Sequence, residues 1–156
     1  MLLERYAYEV GASFLQNDFY SEGPKGKIKK VVLYTYLVTL DGVPYYNLGF
    51  GDYDDEQRRI NDLAVSDNWD RDKILATVAC TALEFTSHFR GCRIIIVGST
   101  MSRTRLYQMG IARHFREISQ LFDIQGLTIG GEWVPFKCGE NYRELLASRK
   151  FCNFGE

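Results

Sequence analysis

Residues 28–54, "IKKVVLYTYLVTLDGVPYYNLGFGDYD", decide the fold. The stretch from Ile28 to Leu40 is dense in β-branched and aromatic side chains, the types that fit a pleated surface. Asp41 and Gly42 follow, a pair suited to the positive φ angles of a two-residue hairpin turn, and "VPYYNLGFGDYD" then returns as the partner strand. On alternation, Val32, Tyr34, Tyr36 and Val38 share one face of the first strand while Val31, Leu33, Thr35 and Leu37 share the other. Both sets are fairly apolar, so this strand is expected in the interior of a sheet.

Working outward, "RRINDLAV" (58–65) reads as a third strand after the acidic turn "DYDDEQ", which makes a meander. Residues 5–20 alternate weakly around Gly11, as one or two short strands with a bend would. Between them, Gly23, Pro24 and Gly26 mark "SEGPKGKIKK" (21–30) as a loop, and Lys25, Lys27, Lys29 and Lys30 make it the main basic segment.

Downstream, Ile74, Leu75, Val78, Ala82, Phe85 and Phe89 lay one apolar stripe along a helix from about Arg71 to Arg90, with Asp70 as its N-cap and Gly91 as its stop. "CRIIIVG" is an uninterrupted aliphatic run, as expected of an inner strand over 92–97. "ARHFREISQLF" continues helical, "DIQGLTIGGEWVPF" forms two strands around Gly130-Gly131, and "NYRELLASRK" reads as a closing helix. The fold class is α+β: a mostly antiparallel sheet, with N-terminal meander, inner strand and C-terminal hairpin, covered by two main helices and a short C-terminal one. Residues 1–156 are expected to form a single domain, and the pattern assigns no role to residues 1–20.

A formal net charge of −1 excludes a global field that would draw the chain onto nucleic acid or anionic lipid, so any such binding must be local. "MLLERYAYEV" carries Glu4, Arg5 and Glu9, unlike a signal peptide core or a spanning helix, and the expected setting is the cytoplasm without a membrane. Cys80, Cys92, Cys138 and Cys152 match no metal knuckle, and His88 and His114 are the only histidines. No metal or cofactor is expected.

Chemistry concentrates in "GSTMSRTRLYQMG" (98–110). A strand that turns through Gly98 into a helix leaves the first N–H groups of that helix unpaired, and Ser99 or Thr100 can cap one of them. An approaching anion would meet those N–H groups, the helix dipole and the hydroxyls together. Arg103 in the first turn opposes the dipole, a conflict of ~0.3–1 kcal/mol that a bound anion or a carboxylate partner would remove. Arg103 and Tyr107 share one helix face, Leu106 and Met109 are expected to point toward a core, and Gly110 is expected to end the helix. The candidate ligand-binding residues are Lys25, Lys27, Gly98, Ser99, Thr100, Arg103, Arg105 and Tyr107. "SEGPKGKIKK" lacks the spacing of a Walker loop, and the carboxylates Asp52, Asp54, Asp55 and Glu56 lack the calcium-loop pattern.

Through "SEGPKGKIKK", "NLGFGDYD", "DRDKILATVA", "GSTMSRTRLYQMGI" and "GEWVPF…NYRELL", the chain resembles a family of small, functionally uncharacterised bacterial proteins found mainly in Bacteroidetes. The resemblance covers about residues 20–150 and implies a compact α+β fold with no activity to carry over. "RTRLYQMGI" after a strand is also similar to the C-terminal part of acetyl-CoA-dependent N-acyltransferases, which would make Tyr107 a general acid. The glycine-rich pyrophosphate loop of those enzymes has no counterpart in "SDNWDRDKIL".

Three functions are therefore weighed. The first is a binding module for an anionic ligand, whether nucleotide, nucleic acid or acidic segment, held by the basic loop and the helix start. The second is an enzyme on a phosphorylated or CoA-linked small molecule, using Tyr107, Arg103 and Asp52 or Asp62. The third is a homodimeric interaction partner in a defence or toxin pair.

Overall fold

The computed structural model describes residues 4–61, 68 and 70–151. The elements in chain order are β1 (Glu9–Val10), β2 (Gln16–Gly23), β3 (Gly26–Leu40), β4 (Val43–Asp54), β5 (Arg59–Asn61), α1 (Arg71–His88), β6 (Arg93–Ile96), α2 (Met101–Arg113), α3 (Phe115–Leu121), β7 (Phe122–Leu127), β8 (Trp133–Pro135) and β9 (Glu144–Arg149). The strands are hydrogen-bonded in the order β1-β2-β3-β4-β6-β9-β7-β8, with β5 on β4. The molecule is α+β with a mostly antiparallel sheet. Asp41 and Gly42 have φ of 50° and 78°, the positive pair that the two-residue β3–β4 turn demands.

The chain packs as two compact units, one of residues 1–36 and 47–90, the other of 37–46 and 91–156. In the first, Val31, Val32 and Tyr34 are buried, so both faces of β3 are covered there. Phe85 of α1 stacks on Tyr34 at 4.1 Å, and the Tyr34 hydroxyl meets Thr81 Oγ1 at 2.9 Å. From Thr35 to Leu40 every residue of β3 is exposed. The expectation of an interior strand therefore holds only for its first half.

The buried side of α1 is also rotated from the apolar stripe. Ala76, Thr77, Thr81, Ala82, Phe85 and Thr86 are buried, while Ile74, Leu75, Val78 and Phe89 are half-buried. Threonine can replace an aliphatic residue because Thr77, Thr81 and Thr86 donate to the carbonyls of Lys73, Val78 and Ala82, each at 2.7 Å, leaving the methyl to pack.

In the second unit β9 lies between β6 and β7, pairing Ile94 and Ile124 with Ala147. This corrects the closing helix expected over "NYRELLASRK". "ELLA" favours a helix intrinsically, but Leu145, Leu146 and Ala147 are all buried, and an inner strand buries consecutive residues on its two faces. Of the strand expected over 58–65, Arg59–Asn61 is observed, Arg58 belongs to the preceding turn with a φ of 51°, and residues 62–65 lie outside the described residues.

Candidate functional site

Thr100 is the N-cap of α2, and its hydroxyl accepts from the Arg103 N–H at 3.1 Å. One of the orphan donors of the helix start is thereby satisfied. Thr104 completes the junction: its hydroxyl accepts from the Gly98 N–H at 2.9 Å and donates to Thr100 O at 3.2 Å. Gly98 lies so close to this turn that a Cβ there would come within 2.4 Å of Arg103 Cβ and 2.6 Å of Thr104 N. Glycine is required here for close approach, and it joins strand to helix. Ser99 and Thr100 are exposed, whereas Arg103 is buried with its guanidinium 6.0 Å from the Tyr107 ring centroid.

The remainder of α2 reverses the usual arrangement of a surface helix. Its buried residues are Arg103, Thr104, Gln108 and Ile111. Its exposed residues are Met101, Ser102, Arg105, Leu106, Met109 and Arg113. Leu106 and Met109, expected to face a core, are 42% and 51% exposed, and Met101 is 61% exposed.

Thr104 and Gln108 are buried because each has a structural partner to reach. Besides the Thr104 bonds, the Gln108 side chain donates to Glu140 O and accepts from the Tyr142 N–H at 3.1 Å, clasping the loop that leads into β9. Gly110 does not end the helix, which runs to Arg113 with His114 as its C-cap. Without a left-handed residue at 110 no Schellman stop forms, and Ile111 is buried while Leu106 is exposed.

The lysine segment is a tight hairpin rather than a loop, because only Pro24 and Lys25 separate β2 from β3. Most of its cations already face carboxylates. Lys27 lies 3.8 Å from Glu22, Lys29 lies 3.9 Å from Asp18, and buried Lys30 pairs with Asp52. Lys25 is exposed, and its backbone N–H donates to Asn68 Oδ1 at 2.7 Å.

Asn68 belongs to a polar clasp in which Asp70 Oδ2 accepts from Tyr6 Oη at 2.6 Å and from Ser21 Oγ at 2.5 Å, while Asn68 donates to Ser21 Oγ at 3.1 Å. Asp70 is the N-cap residue of α1 by position, but it makes no side-chain cap bond because its carboxylate is used here. Burial, and then the bond to Asp70, raise the Tyr6 hydroxyl above its ordinary pKa. Serine 21 is fully buried, so this arrangement secures the N-terminal segment and the hairpin to α1 rather than presenting a nucleophile.

Asp54 accepts from the N–H groups of Glu56 and Gln57 at 3.0 and 3.1 Å, which makes the acidic cluster a self-capped turn. His88 stacks on Phe14 at 3.9 Å, and His114 is the residue that joins α2 to α3. Cys92 is buried, which pushes its thiol up to about 11, while Cys138 is exposed. Asp62, Asp67 and Cys152 lie outside the described residues.

The helix start was legible from the glycine, hydroxyl and arginine pattern. The outer face of α2 was missed. Its signal was the acid-free sequence "MSRTRLYQMGIAR", in which Met101, Arg105 and Met109 recur at a spacing of four.

No helix among the described residues is long and apolar enough to cross a membrane. Neither a curated protein nor a solved structure matches the chain. The model of a family of unknown function, DUF6934, matches residues 2–150, nearly the whole of the sequence, and the chain belongs to that family.

Proposed function

We propose that this chain is a binding module whose anionic ligand is an acidic, partly apolar segment of another protein, received on the outer face of α2. The observation that carries this reading is the inversion of that helix: three polar residues are buried while Met101, Leu106 and Met109 are exposed beside Arg105 and Arg113. Exposed apolar side chains are informative when clustered, and methionine with arginine is the composition enriched at protein interfaces, where lysine and acids are depleted. Methionine also adapts its shape to a partner.

Charge selects the occupant. The helix contains no carboxylate, and no ion pair to Arg105 occurs among the described residues. An acidic segment with apolar residues would satisfy both halves of the face, whereas a phosphate backbone would leave the methionines in water. The exposed helix start at Ser99 and Thr100 adds a positive dipole end beside Met101. Of the candidates in the lysine hairpin, only Lys25 lacks a carboxylate partner among the described residues, which gives that segment a smaller part.

The test is a titration of a fluorescent amphipathic peptide bearing glutamate and leucine at helical spacing, against an oligonucleotide of equal charge. Saturable peptide binding that weakens ~10-fold or more in Arg105→Glu, with a shallow dependence on salt, is expected. Binding of the oligonucleotide with a steep salt slope, or of neither probe, removes the reading.

A further inference from the structure

The chain holds three methionines, of which Met1 lies outside the described residues. The other two, Met101 and Met109, both belong to α2 and are 61% and 51% exposed. Methionine is among the side chains most often buried, so two on the surface of one helix are not explained by packing.

At 3.6 residues per turn, Met101, Arg105 and Met109 follow one another about 40° apart around α2, and the two methionines stand about 12 Å apart along its axis. Buried Thr104, Gln108 and Ile111 take the opposite side. Both thioethers are thus open to a two-electron oxidant, and Arg105 stands between them on the same face. A sulfoxide is polar, and its oxygen accepts hydrogen bonds where a thioether barely does.

We infer that Met101 and Met109 form a paired oxidation site for hydroperoxides whose sulfoxides close the outer face of α2, which rests on the reading of that face as the receptor of an acidic, partly apolar segment. In each residue a sulfur lone pair attacks one peroxide oxygen, the O–O bond breaks, and that oxygen stays on sulfur as S=O. The other oxygen leaves as water with both protons of hydrogen peroxide. Sulfur loses two electrons and the peroxide gains them, so the step balances with the peroxide as its co-reactant.

Both halves of the face change together. Surface that the apolar residues of the segment would cover becomes polar, and burying a polar group without a new hydrogen bond is unfavourable. Each new oxygen also lies four residues from Arg105, the spacing of neighbours on a helix face, so it competes with the segment's carboxylates for that guanidinium.

The test treats the full chain with hydrogen peroxide and then with dithiothreitol, which restores sulfenic acids and disulfides to thiols but leaves sulfoxides in place. Peptide mass spectrometry should find one added oxygen on each of Met101 and Met109, with circular dichroism unchanged. The fluorescent glutamate and leucine peptide should then bind ~10-fold or more weakly than to the same protein before treatment. A variant carrying Met101→Leu and Met109→Leu keeps both surface positions apolar. Whatever its untreated affinity, peroxide should change that affinity less than ~2-fold.

Full oxidation of both sulfurs with unchanged peptide affinity overturns the inference and leaves the α2 reading standing. So does a folded chain whose methionines resist peroxide, or one that loses its circular dichroism on oxidation. A peroxide response that persists in the leucine variant assigns the effect to thiols such as the exposed Cys138 and overturns it as well. An untreated chain that binds no peptide removes the α2 reading and the inference with it, an outcome seen before any peroxide is added and so distinct from the others.

Discussion

A methyl group at Gly98 would meet Arg103 Cβ and the backbone of Thr104 at the start of α2. Backbone cannot yield as a flexible side chain does, so Gly98→Ala should cost about 1–3 kcal/mol in urea denaturation. Thr100→Ala should cost about 1 kcal/mol, because it removes the hydroxyl that caps the Arg103 N–H. Cys92 has a raised pKa, so burial favours its neutral thiol. That stabilisation is fully present below 9.0 and is lost as pH rises toward about 11. Iodoacetamide at neutral pH should therefore label Cys138 before Cys92, and Cys92 should react only when the chain unfolds. The cap at Thr100 was readable because capping is local chemistry. The burial of Arg103 was not, since the local pattern of a helix start carries no sign of which side packs inward.

At the level of elements, helix α1 shows how a polar residue becomes core. Its threonines bond their own helix carbonyls, and Thr77 also accepts the Tyr6 N–H at 2.9 Å. Tyr6 carries the clasp further, since its hydroxyl donates to Asp70 and accepts from the Glu22 N–H at 3.0 Å. Tyr6→Phe leaves those partners unmatched and should destabilise the fold by about 2 kcal/mol, measured as a shift in thermal or urea midpoint. Helices α1 and α2 were both found in the sequence, although Asp70 makes no side-chain cap bond and Gly110 does not end α2. Their buried sides were assigned from side-chain type alone, and in both the hydrogen bonds made by polar residues moved the buried stripe. In α2 that movement places the methionines outside, which is the basis of the proposed binding face.

For the whole molecule, β9 closes the second unit by pairing with β6 and β7 at once. A chain ending at Arg143 should lose cooperative unfolding of that unit, because Leu145, Leu146 and Ala147 leave its core and two inner strands become edges. Amide exchange at Ile94 and Ile124 would report the loss, while Val32 in the first unit serves as reference. The sequence by itself determined the α+β class, the β3–β4 hairpin, the aliphatic strand β6 and the positions of the main helices, because periodicity and turn chemistry are written in neighbouring residues. Only tertiary structure decided that "ELLASR" is an inner strand, that half of β3 is uncovered and that α2 hides its polar side. Each of those outcomes depends on which distant groups satisfy a hydrogen bond or cover a face, and no local pattern specifies that.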